Sequence, residues 1–128
     1  MKLKWCLYEQ SGYEKQMALQ CFYRNKKELL QKFNEGYATC TYAVLKLGDY
    51  FLKHDIDFVV VSGDYDGSGH WWIEIGNTIY DIGNNIKEEF VESGLMEPII
   101  TTDRSNYSVD EKMSYKQYLK LYPTIKDL

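Results

Sequence analysis

Proline and histidine each occur only twice in this chain of 128 residues, and cysteine three times. Both prolines, Pro98 and Pro123, lie in the last third, so no proline interrupts regular structure before that point. Cys6, Cys21 and Cys40 form no Cys-x-x-Cys pair, the usual zinc or dithiol signature, and an odd number cannot complete a disulfide framework. Cys6 and Cys21 read as small buried apolar residues. No apolar run approaches the ~18 residues of a membrane-spanning helix. The N-terminal segment Met1–Gln10 has neither a signal-peptide apolar stretch nor a small-residue cleavage site. No secretion and no membrane span are expected, and a cytoplasmic location follows. Basic excess is also lacking: the net charge is -4, which argues against broad binding to nucleic acid or an anionic membrane.

The chain does contain the material for a core. With 45% hydrophobic and 27% charged residues and no internal repeat, residues 1–128 read as one soluble α+β domain. Met17, Ala18, Cys21, Phe22, Leu29, Leu30 and Phe33 recur at helical spacing, predicting one or two helices over 13–33. After Asn34-Glu35-Gly36, Thr39 is suited to cap a helix running to about Lys53. Cys40, Val44, Leu47 and Phe51 share one face of it, and Gly48 permits close packing. Phe58 to Val61 is a β-branched run expected to form a strand buried on both faces. The glycines and aspartates of 64–69 predict a loop. Strands are expected over His70–Ile75 and Thr78–Ile82, joined by a two-residue Gly76-Asn77 turn. Beyond Asn84 the pattern suggests a helical turn over Ile86–Phe90, a strand over Pro98–Thr101 and a helix over Tyr115–Leu121. An antiparallel sheet of about three to five strands follows.

The turn at Gly76-Asn77 fixes a register in which Ile75 opposes Thr78, Trp72 opposes Asp81 and His70 opposes Gly83. The two-residue side-chain period then puts His70, Trp72, Glu74 and Asp81 on one face. His70 and Asp81 become diagonal neighbours, close enough for an imidazole to bond a carboxylate. A histidine oriented by a carboxylate is half of a nucleophilic site. The other half needs a readily ionised thiol, and Cys40 stands at the N-terminus of a helix, where a thiolate is favoured. Packing of that helix on the sheet would bring the sulfur towards His70.

Cys40 opening a helix, a strand ending in Val60-Val61-Ser62-Gly63, then His70-Trp71-Trp72-Ile73-Glu74 and Tyr80-Asp81, together resemble the transglutaminase-like superfamily of papain-type cysteine enzymes over about residues 36–83. The resemblance implies a papain-like core with the cysteine-bearing helix on a small antiparallel sheet. It assigns Cys40 as nucleophile, His70 as acid/base and Asp81 as the group fixing its tautomer. Asn34, six residues before the cysteine, is an oxyanion candidate by analogy with a papain-like glutamine at that offset. Ala38, and Ile82-Gly83 after the aspartate, depart from the family pattern.

The chemistry expected is thioester formation on an amide or related acyl group, by a peptidase, amidase, deamidase or acyl transferase acting on a peptide, protein or small amide. No cofactor is called for. Trp71, Trp72 and Tyr37 are candidates for the substrate pocket, and Glu74 for a solvated rim charge. Two other classes compete: a catalytically inactive binding module of the same fold, and a metal site using the same three side chains. Asp64-x-Asp66-x-Ser68-Gly69 copies the start of an EF-hand loop, but position twelve is Ile75 where a glutamate is needed.

Overall fold

The computed structural model describes residues 2–36, 39–84 and 97–121, with side chains described from Gly12 onward. Its described elements are helix α1 (Lys2–Asn34), helix α2 (Thr39–Lys53), strands β1 (Val59–Tyr65), β2 (Ser68–Ile75), β3 (Thr78–Asp81), β4 (Ile99–Thr101) and β5 (Tyr107–Met113), and a short helix α3 (Tyr115–Leu121). The five strands form one antiparallel sheet in the order β4-β3-β2-β1-β5.

The apolar stripe of residues 13–33 lies within a single helix rather than two. Met17, Ala18, Cys21, Phe22 and Leu29 are its buried positions. The helix ends where Gly36 adopts a positive φ of 85° and its N–H closes on the Phe33 carbonyl at 3.0 Å, the left-handed exit that glycine permits. Helix α2 has the expected bounds and buries Val44, Leu47 and Phe51. Gly48 supports the close packing expected of it, since an added Cβ would lie 2.4 Å from the Tyr115 ring. Asp55 leaves α2 with φ 56° while the Ile56 N–H bonds the Phe51 carbonyl at 3.0 Å.

Both hairpins turn in two residues. Gly76, with φ 59°, starts the β2–β3 turn, and the pairs Ile75–Thr78, Glu74–Ile79 and Ile73–Tyr80 follow the register expected from the sequence. Residues 64–69 are not a loop, however. Asp64 and Tyr65 pair with Gly69 and Ser68 inside the ladder, leaving only Asp66-Gly67 as the turn. Asp66 at φ 49° and Gly67 at φ 82° give the two successive positive angles of a type I′ hairpin. β1 therefore runs to Tyr65, and its first residue, Val59, is 37% exposed, so the expected burial on both faces holds only for Val60 and Val61.

Strand parity separates two environments. Val60, Ile73, Tyr80 and Met113 join α1 and α2 in the main core, whereas Val61, Trp72 and Ile79 form a second cluster with Tyr107 on the other face. β4 and β5 lie at opposite edges of the sheet, yet only Thr102–Asn106 joins them. Four interstrand gaps amount to roughly 19 Å. The linker is too folded to span that distance across a flat sheet, since Asp103 caps Ser105 and the Tyr107 N–H turns back to the Arg104 carbonyl. The sheet therefore curls about its second face, and the linker crosses that face.

The expected strand near Pro98–Thr101 is β4, and the helix from Tyr115 is α3. β5 was not expected. The helical turn suggested at Ile86–Phe90 lies outside the described residues. Among the described residues no helix is long and apolar enough to cross a membrane.

Candidate active site

His70 is the third residue of β2, and Asp81 ends β3. The short turn between their strands makes them diagonal neighbours, and Nε2 of His70 lies 2.9 Å from both Oδ1 and Oδ2 of Asp81. Asp81 is only 2% exposed. A buried carboxylate needs several donors to remain in place, and Asp81 has two more. Asn84 donates Nδ2 to Oδ2 at 2.7 Å, and the Tyr107 hydroxyl donates to the same oxygen at 2.8 Å.

Cys40, in the first turn of α2, is half-buried beside this pair. The route to it differs from simple packing of the helix on the sheet. α2 covers the face bearing Ile73 and Tyr80, while His70 and Asp81 share the other face with Trp72. The thiol comes to the imidazole around the end of the sheet, where Gly83 lets the helix approach. A Cβ at Gly83 would sit 2.6 Å from the Ala43 Cβ, 3.3 Å from the Thr39 carbonyl oxygen and 3.5 Å from the Cys40 Cα. Glycine at position 83 thus has a steric reason.

Burial works against protonation of His70, but hydrogen bonds to Asp81 and Cys40 and the negative charges of both outweigh it and raise its pKa to about 9. The surroundings of the ring thus favour its protonated form. Its plane stacks on Trp72, with centroids 5.9 Å apart at 26°, and Tyr65 stands on another side at 6.1 Å. Trp72 in turn donates Nε1 to Glu74 Oε2 at 2.8 Å.

A cleft of about 410 Å³ opens over the site, lined among others by Phe33, Cys40, Tyr65, Asp66, His70 and Asn84. That volume is in the range of small-molecule sites. Neither tryptophan lines it. Trp71 points to the helix-covered face and meets Tyr118 edge-on, and Trp72 is 1% exposed beneath His70. Asn34 is exposed at the end of α1 and does not line the cleft, although its neighbour Phe33 does. Tyr37 lies outside the described residues.

Glu74 is not a solvated rim charge. It is 1% exposed, bonded by Arg104 Nη2 at 2.6 Å and approached by Lys112 Nζ at 3.5 Å. Burial raises its pKa, but the Arg104 and Trp72 hydrogen bonds with the two cations outweigh that and hold it below the ordinary glutamate value. The curl of the sheet turns this position, which alternation alone would leave facing water, into an interior one.

Tyr107, Asn84 and Arg104 were not singled out by the sequence reading. Tyr107 alternates with Val109 in a short strand, a readable signal, but nothing local indicates that it reaches Asp81. Among the described residues no group of three or more histidine, cysteine, aspartate or glutamate side chains is arranged to hold a metal ion, so the alternative zinc reading finds no ligand set there. No family model, curated protein or solved structure matches the chain.

Proposed function

We propose that this chain is a cysteine acyl enzyme of the papain type, built on a transglutaminase-like core, with Cys40 as nucleophile, His70 as acid/base and Asp81 as its orienting carboxylate. The observation that carries the reading is the double contact of Asp81 with His70 Nε2 at 2.9 Å, on a histidine that lines the same cleft as Cys40. With Nε2 committed to the carboxylate, Nδ1 is the nitrogen that serves the thiol. A thiolate beside an imidazolium is the reactive form of such a pair.

In the proposed reaction, the Cys40 sulfur adds to the carbonyl carbon of an amide, and the carbonyl π electrons move to oxygen. The backbone N–H of Cys40 is the natural first donor to that oxyanion. On collapse, the C–N bond breaks and Nδ1 of His70 gives its proton to the departing amine, leaving a Cys40 thioester and a neutral imidazole. Water, or a second amine, then attacks the thioester while Nδ1 takes up its proton. The acid or new amide leaves, and the thiolate and imidazolium are restored. Asp81 keeps Nε2 protonated throughout and holds the ring in one orientation.

The test is to expose the full chain to p-nitrophenyl acetate and locate the transferred acetyl group by mass spectrometry. One acetyl on Cys40, none on Cys21, and loss of p-nitrophenolate release in a folded Cys40→Ala variant are expected. Equal, slow labelling of the cysteines would overturn the assignment and favour a binding module. Comparing active protein with Cys40→Ala in a cell lysate, with mass spectrometry for cleaved or mass-shifted products, would then identify the natural acyl group.

A further inference from the structure

The carboxylate of Asp81 receives its donors unequally. Oδ1 has His70 Nε2 as its described partner, while Oδ2 receives His70, Asn84 and Tyr107 at 2.9, 2.7 and 2.8 Å. Rotation of an aspartate about χ2 is soft, so nothing in Asp81 itself keeps both oxygens on one nitrogen. Two further donors on Oδ2, from chain positions on either side of the β4 crossing, fix the carboxylate plane.

Of these two, Tyr107 is the more firmly held. It opens β5 opposite Tyr65, and its ring meets Tyr65 and Trp72 edge-on, each at 4.9 Å. Three residues earlier, Arg104 is anchored to buried Glu74 and approaches the Asn77 carbonyl at 3.5 Å. Asn106 also accepts from the Asp66 N–H at 3.0 Å, tying the linker to the β1–β2 turn. Burial, reinforced by the charge and hydrogen bond of Asp81, pushes the Tyr107 phenol well above its ordinary pKa. It therefore remains a donor through the range in which His70 titrates.

We propose that Tyr107 is a positioning residue for the thiol site: its hydroxyl on Oδ2 holds the Asp81 carboxylate so that both oxygens meet His70 Nε2. The linker that crosses the curled face delivers this hydroxyl, so closure of the sheet and alignment of the acid/base are one structural event. The role rests on the reading of Cys40, His70 and Asp81 as a reactive unit, but its direct readout is the histidine.

The experiment compares wild-type chain, Tyr107→Phe and Tyr115→Phe by NMR titration of the His70 ring and by acetyl transfer from p-nitrophenyl acetate. Tyr115 also has a bonded hydroxyl, on the Leu45 carbonyl and Asp49 Oδ1, and lies on the helix-covered side. Tyr107→Phe should lower the His70 titration by up to about one pH unit, roughly tenfold in its protonation equilibrium, and should slow Cys40 acetylation. Tyr115→Phe should lose thermal stability and leave the His70 titration in place. An unchanged or raised His70 titration in folded Tyr107→Phe, or an equal fall in Tyr115→Phe, would overturn the proposal. If Tyr107→Phe does not fold, Asn84→Ala decides: an unmoved His70 titration there supports Tyr107 as the donor that suffices to hold Asp81, and a fall to the ordinary histidine range overturns it. Failure of wild-type Cys40 to take the acetyl group would instead remove the enzyme reading, while the His70 titration still decides the role of Tyr107.

Discussion

Both faces of the sheet bury side chains but are built by different rules. The face under α1 and α2 is filled by Val60, Ile73, Tyr80 and Met113, positions that period-two alternation against a helix layer makes apolar. The opposite face interleaves Val61, Trp72 and Ile79 with Glu74, His70 and Asp81, every one of them largely withdrawn from water. An apolar layer needs only volume and shape, whereas buried charges need partners in fixed positions. The first face is thus suited to packing, and on the proposed reading the second holds the reactive groups.

The largest effect expected from that division is on reactivity. Removing the carboxylate in Asp81→Ala should slow acyl transfer to Cys40 by roughly 10²–10⁴-fold, the range of a general acid/base contribution. Measurement on protein shown folded by circular dichroism checks it. A loss under threefold would detach Asp81 from the chemistry. The counterpart is Ile73→Ala on the helix-covered face, fully buried in the wild type. It should destabilise the chain by about 2–5 kcal/mol in denaturant unfolding, yet leave the His70 titration unmoved in the fraction that stays folded. A change in that titration would mean the two faces are coupled rather than divided.

The same contrast explains which parts were legible from sequence. Helix α2, the Gly76-Asn77 turn and the His70–Asp81 neighbour relation rest on local periodicity and a two-residue turn, which fixes register and side-chain parity together. The resemblance of Cys40, His70 and Asp81 to a cysteine-enzyme pattern depended on the same stretch. The Asp66-Gly67 turn was just as local, but its surrounding glycines and aspartates read as a longer loop. Burial of Glu74, its pairing with Arg104, and the reach of Tyr107 to Asp81 have no local signature. They exist because β4 and β5 occupy opposite sheet edges and five residues connect them across the curled face. Contacts set by closure join positions 30 and 26 residues apart, and no turn or period encodes them.

Charge on the second face should also make stability depend on pH. The folded pKa of His70 is raised from 6.5 to about 9. Below pH 6.5 the ring is protonated in both folded and unfolded chains, so its interaction contributes in full. As pH rises from 6.5 through 9 the unfolded chain loses its proton first, and the contribution disappears. Up to about 3 kcal/mol is at stake. Unfolding of wild type and His70→Ala at pH 6 and pH 9.5 should show a gap that narrows at the higher pH. A gap that widens would reverse the assigned sign.

The smallest expected effect lies at the seam between the faces. Gly83→Ala places a methyl group 2.6 Å from the Ala43 Cβ, against the backbone of Thr39 and Cys40, so the start of α2 has to move off the end of the sheet. Overpacking of this kind costs about 1–3 kcal/mol, comparable to or below the other effects. Because the displaced segment carries the thiol, Cys40 acetylation should fall even where folding survives, while the His70–Asp81 pair, held within its own hairpin, stays together. The discriminating result is a slower thiol with an unchanged His70–Asp81 contact by NMR. If acetylation is unaffected, the approach of α2 at Gly83 does not set the position of Cys40, and the two faces meet elsewhere.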